Sequence, residues 1–168
     1  MQEQNQRTSP WLIAWRVIFT FALIGCIVFI FSNSLQIADV SEGASGRVLG
    51  ILQGILRHLG LPGAADRLTM HIVRKLAHFC EYGALGMILG ALALLWESPG
   101  AFFRGSYAFL LALAAAVVDE SIQLVADGRG AQVQDILLDA AGSLTGLLAA
   151  WLLAALLRLI RKRRVNKT

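Results

Sequence analysis

Long apolar runs alternate with short polar breaks along this chain, and the ionisable residues that enter the runs do so at their ends. The runs cover 11–31, 74–96, 106–125 and 136–160, each near the roughly 20 apolar helical residues that cross a hydrocarbon core. The pattern predicts an all-α membrane protein with four transmembrane helices. The first run follows a polar segment over 1–10, is too long for a signal-peptide core and has no A-x-A pattern after Phe31, so it reads as a retained anchor. Between the first and second runs lies a connection of about forty residues, long for a structureless loop. Within it Val48, Leu52, Ile55 and Leu59 recur at spacings of four, three and four, with Arg47, Gln53, Arg57 and His58 on the other side. This predicts an amphipathic helix over about 44–60, ended by Gly60 and Pro62. It is too short to span, and is expected to lie in the outer interface or to cap the bundle.

The second span should begin somewhat before Arg74, because 64–73 holds no helix breaker. Gly86 and Gly90 form one G-x-x-x-G pair within it. In the fourth run Asp135, Asp139, Gly142 and Gly146 are spaced four, three and four, so carboxylates and glycines share one face. That face should point into the bundle, although small-residue faces serve a homo-oligomer equally well. Cys26 and Cys80 each stand within an apolar run, which suggests buried small hydrophobes rather than a disulfide or a thiolate metal site.

Composition agrees with one membrane domain over 1–168. The chain is 57% hydrophobic and 15% charged, whereas a soluble domain carries about 25% charged residues. The formal charge of +4 owes much to a basic tail over 161–168. By the positive-inside tendency this tail, the N-terminus with Arg7 and Arg16, and the loop with Arg104 are expected in the cytoplasm. Beside a membrane exit such a tail sets topology or meets anionic lipid, so no nucleic-acid partner is expected. Arg47, Arg57, Arg67, Arg74, Lys75 and Arg129 then fall outside, and the charged ends of the runs meet at the extracytoplasmic face.

Candidate chemistry gathers at that face. Arg74, Lys75, His78, Glu81 and Tyr82 open the second run, Asp119, Glu120 and Gln123 close the third, and Asp135 and Asp139 open the fourth. Charged groups cost about 2.5–3.5 kcal/mol each at the bilayer midplane on insertion scales, so a convergence of them marks a site. With Asp127 there are six acids against Arg74, Lys75, Arg129 and one histidine. The excess must be protonated, be wetted at the rim or share a bound divalent cation. One reading is a site for an anionic membrane lipid or a lipid-linked phosphate. Arg74, Lys75 and Arg129 would hold phosphate, with Tyr82, Gln123, Asp135 and Asp139 around it. Should chemistry occur there, His78 is the general acid or base, oriented by Glu81 or Asp119. Asp119, Glu120, Asp135 and Asp139 would then carry the metal. A second reading is proton- or ion-coupled transport, against which the inner halves of the runs carry almost no polar side chains. A third is a closed polar network that only locks helix ends. Taken singly, Tyr82 reads as an interface anchor, Gln123 as a hydrogen-bond bridge, and Trp11 and Trp15 as a membrane-boundary belt.

Several of these stretches resemble the VanZ-like family of bacterial membrane proteins. They are Arg74-Lys75-Leu76-Ala77-His78-Phe79-Cys80-Glu81-Tyr82, Asp119-Glu120-Ser121-Ile122-Gln123, Arg129, and Asp135 with Asp139, Gly142 and Gly146. Ser32 and Ser34 fit as well, and the resemblance runs over about 31–153. It implies a small cell-envelope protein linked to teicoplanin susceptibility, since the founding member is associated with low-level teicoplanin resistance. The family supplies no agreed reaction, so enzyme status stays open and no catalytic residue is carried over.

Overall fold

A helix with glycine on one face can bring its backbone against a neighbour's, and the fourth and second apolar runs do this along their length. The computed structural model describes residues 9–36, 38–96, 100–125 and 132–165. Its helices are α1 (Pro10–Ser34), α2 (Ala38–His58), α3 (Pro62–Arg67), α4 (Met70–Leu95), α5 (Ala101–Gln123) and α6 (Val133–Val165). Four of them, α1, α4, α5 and α6, are long and apolar enough to cross a membrane. The protein is thus an all-α integral membrane protein.

The α4–α6 seam is the tightest contact. A Cβ at Gly86 would fall 1.9 Å from the Ser143 carbonyl oxygen, one at Gly146 would fall 1.9 Å from that of Gly83, and one at Gly142 would fall 2.5 Å from that of Phe79. These faces are therefore spent on packing within the chain. On α5, Ala108, Ala112 and Ala116 recur every four residues and are buried against the same core, which also holds Tyr82, Leu85, Leu89 and Leu147. Trp151 lies over Gly105, and its indole N–H donates to the Gly90 carbonyl at 3.3 Å.

By contrast, α1 buries only Ile30 and Ser34. Polar contacts fasten its two ends. Arg16 donates twice to the Leu95 carbonyl, at 2.7 and 3.1 Å, and its guanidinium stacks 5.9 Å from the Trp96 ring. Arg104 donates to the Trp96 carbonyl, so two cations satisfy the C-terminal carbonyls of α4. At the other end Asn33 and Ser34 reach α4 and α5, as described below.

The connection between the first two spans holds two helices where the pattern predicted one. α2 starts at Ala38, ahead of the expected 44, and ends in a Schellman motif. Gly60 adopts φ +76°, its N–H donates to Arg57, and the Leu61 N–H donates to Leu56. Pro62 does not merely stop α2; it opens α3, at a position where the missing N–H costs nothing. The Gln53 amide donates to the carbonyls of Ala65 and Leu68 at 3.2 Å each, and Arg57 meets Asp66 at 3.0 Å, which folds α3 back on α2. Helix across 64–73 does break, because Leu68 and Thr69 are extended and the Thr69 hydroxyl accepts the Ile72 N–H at 3.3 Å. α5 likewise begins at Ala101 and α6 at Val133, earlier than the apolar runs that predicted them. At about 1.5 Å per residue α6 reaches roughly 50 Å and outruns a hydrocarbon core of about 30 Å, its basic end included. The cysteines are less buried than expected, Cys26 partly and Cys80 exposed.

Gly86→Ala should lower the melting temperature of the detergent-solubilised protein, at a cost of about 1–3 kcal/mol for overpacking. Gly54→Ala meets nothing within 4 Å and should be neutral or stabilising by up to about 1 kcal/mol. Equal melting curves for the two variants would refute the seam.

Candidate functional site

With α4 and α6 in backbone contact, the first turns of one lie beside the first turns of the other, and the end of α5 closes on both. At about 1.5 Å per residue, His78 sits roughly 12 Å into α4 and Asp139 roughly 9 Å into α6, while Asp119 is one turn from the end of α5. His78 Nδ1 lies 3.7 Å from Asp139 Oδ1 and 3.9 Å from Asp119 Oδ2. Both carboxylates are fully buried. These separations exceed hydrogen-bond length, and one donor atom from each of the three residues lies within 4.8 Å of the others. A buried set of one imidazole and two carboxylates with this spacing can hold a divalent cation.

The neighbouring groups are each engaged. Lys75 Nζ donates to Asp135 Oδ1 at 2.7 Å. The Asn33 amide donates to Glu81 Oε1 at 2.9 Å, and the Gln36 amide to Asn33 Oδ1 at 3.4 Å. Glu120 accepts the backbone N–H of Gln132 just ahead of α6, where a carboxylate meets the positive end of the helix dipole. Gln123 donates to Asp119 Oδ2 at 3.3 Å, and Ser34 is also hydrogen-bonded to Asp119.

Several buried atoms at this end have no hydrogen-bond partner among the described residues. They are His78 Nδ1, Asp119 Oδ1, both oxygens of Asp139, Glu120 Oε2, Tyr82 Oη and Ser143 Oγ. An unsatisfied buried polar group costs about 1–3 kcal/mol. The groups of the described residues therefore do not close this network.

His78 also forms part of a second feature. A cavity of about 390 Å³ opens between the end of α1, α2 and α4. Val48 and Leu52 of α2 face Val73, Leu76 and Ala77 of α4 across it, and Arg74, His78, Glu81, Asn33 and Gln36 supply its polar wall. Arg74 has no ion-pair or hydrogen-bond partner among the described residues. His78 thus stands between this groove and the buried carboxylates.

Comparison with protein families then decides the class. The VanZ/LLP1 family model matches residues 19–156. The chain belongs to the VanZ/LLP1 family. Membership agrees with the resemblance read from the sequence and with the cell-envelope and antibiotic-resistance setting of these bacterial proteins. Neither the curated proteins nor the solved structures supply a match.

In this VanZ/LLP1 protein the residues singled out from sequence divide into three groups. His78, Asp119 and Asp139 converge. Arg74 and Glu81 line the groove, while Lys75, Glu120, Gln123 and Asp135 support the helix ends. His78 faces Asp119 and Asp139 rather than Glu81, and the cation set contains His78 in place of Glu120 and Asp135. Tyr82 is fully buried, not an interface anchor, because it falls on the face of α4 that packs into the bundle. Arg129 and Asp127 lie outside the described residues. Sequence reasoning did not assign Asn33, Gln36 or Ser143 to the site. The polar triplet Ser32-Asn33-Ser34 at the end of an apolar run was the available signal for Asn33, and the one-turn spacing from Asp139 was that for Ser143.

Lys75→Gln and Asp135→Asn should each destabilise the protein, and a double-mutant cycle should return a coupling of about 0.5–3 kcal/mol, as expected for residues in contact. A coupling near zero in thermal unfolding would show that α4 and α6 do not meet at this level.

Proposed function

We propose that this VanZ/LLP1 protein binds an anionic lipid or lipid-linked cell-wall intermediate at the extracytoplasmic face. By holding such components it would influence glycopeptide susceptibility. The groove between α2 and α4 carries this reading, since it sets Arg74, which has no partner among the described residues, beside an apolar wall of Val48, Leu52, Val73, Leu76 and Ala77. Phosphate on Arg74 would make charge-assisted hydrogen bonds, for which a guanidinium is well shaped. Lys75, occupied by Asp135, contributes field rather than direct contact. Glu81, held by Asn33, adds a carboxylate to the same wall. The amphipathic α2 would lie along the membrane surface and cover the bound chain. The buried atoms without a partner among the described residues weigh against a network that only locks the helices, since a locking network would satisfy itself. The orientation rests on the basic end of α6, with both termini in the cytoplasm. We read the chain as one membrane domain over 1–168.

Native mass spectrometry of the detergent-released protein, offered phosphatidylglycerol, a polyprenyl phosphate or phosphatidylcholine, tests this. The wild type should retain one of the two phosphate-bearing anions selectively, and the better of them identifies the source. Arg74→Gln should weaken retention about 10- to 100-fold, the loss expected for a hydrogen bond to a charged group of about 1.5–3 kcal/mol. Equal retention of phosphatidylcholine and both anions by the wild type would overturn the proposal.

A further inference from the structure

His78, Asp119 and Asp139 come from three different helices, and nothing local in the sequence requires them to meet. We propose that they form a binding site for one divalent transition-metal ion of the Zn²⁺ type. Geometry supports it first. Metal bonds of about 2.0–2.2 Å place tetrahedral donors roughly 3.4 Å apart, and Nδ1 of His78 lies 3.7 and 3.9 Å from its two carboxylate partners. The donors are thus too far apart to hydrogen-bond to one another and close to the spacing that a shared ion imposes.

Charge supports it second. Of the acids at this end, Asp135 has Lys75, Glu81 has Asn33 and Glu120 has the Gln132 N–H. Asp119 and Asp139 are fully buried and face His78, with no lysine or arginine paired to either among the described residues; both oxygens of Asp139 and Oδ1 of Asp119 accept no hydrogen bond there, Gln123 and Ser34 engaging Asp119 alone. One divalent cation neutralises the pair. Tyr82 Oη and Ser143 Oγ, both on fully or nearly fully buried residues one turn from His78 and Asp139, also lack partners among the described residues and are placed to serve a metal-bound water.

The donor types narrow the ion. Imidazole with carboxylates suits Zn²⁺, Co²⁺ or Fe²⁺ better than Mg²⁺ or Ca²⁺, which prefer oxygen alone. Three protein donors leave at least one position open, the pattern of zinc sites that engage water or substrate rather than purely structural ones. Gln123 and Ser34 hold the Asp119 carboxylate in place from outside, as groups around a metal ligand do. The site goes beyond the lipid reading and does not need the groove to be filled.

The test is equilibrium dialysis of the intact, detergent-purified protein, first stripped with chelator, against Zn²⁺, Co²⁺, Mg²⁺ and Ca²⁺ separately, with bound metal counted by elemental mass spectrometry. One Zn²⁺ or Co²⁺ per chain is expected, held at least tenfold more tightly than Mg²⁺ or Ca²⁺. The Co²⁺ form should show the visible absorption of nitrogen and oxygen coordination. Asp139→Asn should lose at least tenfold in affinity, while Glu120→Gln and Asp135→Asn keep the wild-type value. Wild-type protein with a normal melting curve that takes up neither Zn²⁺ nor Co²⁺ would overturn the site, whatever the stability of the variants, and so would folded Asp139→Asn that binds as tightly as wild type. Lipid retention measured on the same stripped sample separates the two proposals. Selective lipid binding without metal uptake overturns the metal site alone, and metal uptake without lipid selectivity overturns the groove alone.

Discussion

Backbone contact between α4 and α6 is the constraint on which the rest depends. Lipid tails are as apolar as the helices, so burial of leucine gives little reason for one transmembrane helix to choose another, and close packing has to supply it. Gly83 and Gly86 on α4 meet Gly142 and Gly146 on α6 with no room for a Cβ at three of these four positions. The same face of α6 carries Asp139 and Asp135 about one and two turns before Gly142. Once the glycines set rotation and depth, the carboxylates have no choice but to face α4, where Lys75 and His78 stand. The packing surface and the chemical surface are one stripe of the helix.

The remaining helices are fixed by different means. α5 closes on this pair through a column of alanines and delivers Asp119 and Glu120 at its end. α1 has little apolar burial and relies on polar anchors at both ends, Arg16 on the last turn of α4 and Asn33 with Ser34 on the charged cluster. Hydrogen bonds of this kind are modest individually in membranes, but they lie far apart along α1 and therefore fix both its depth and its tilt. The anchoring also makes Asn33 and Gln36 part of the groove wall, so the placement of α1 and the shape of the groove are coupled.

Much of this was legible in the chain. Four spans follow from the bilayer's length requirement, and the clustering of charge at the run ends follows from the cost of placing it deeper. The glycine spacing identified the packing face of α6. What escaped was set either locally by a single side chain or globally by helix rotation. The break at Leu68 and Thr69 depends on a threonine hydroxyl capping α4, a signal too small to stand out against ten helix-compatible residues. Pro62 read as a terminator because the pattern does not distinguish the end of one helix from the start of the next. Which acid faces His78 is decided by interhelical rotation, and an i, i+3 neighbour such as Glu81 looks equally suitable until Asn33 claims it. Tyr82 was misplaced for a related reason, since a tyrosine near a span's end fits a membrane interface until the bundle closes over it.

The resulting picture is a membrane-embedded acidic centre, sealed on one side by the glycine seam and separated from an apolar groove by a single histidine. Its central claim is that the first turns of α4 and α6 are in contact within one chain. The most direct measurement is cysteine cross-linking in membranes, with Lys75→Cys and Asp135→Cys placed in a background carrying Cys26→Ser and Cys80→Ser. Short bis-methanethiosulfonate reagents should join the pair within single chains. Linkage only by long reagents, or only between separate chains, would contradict the account.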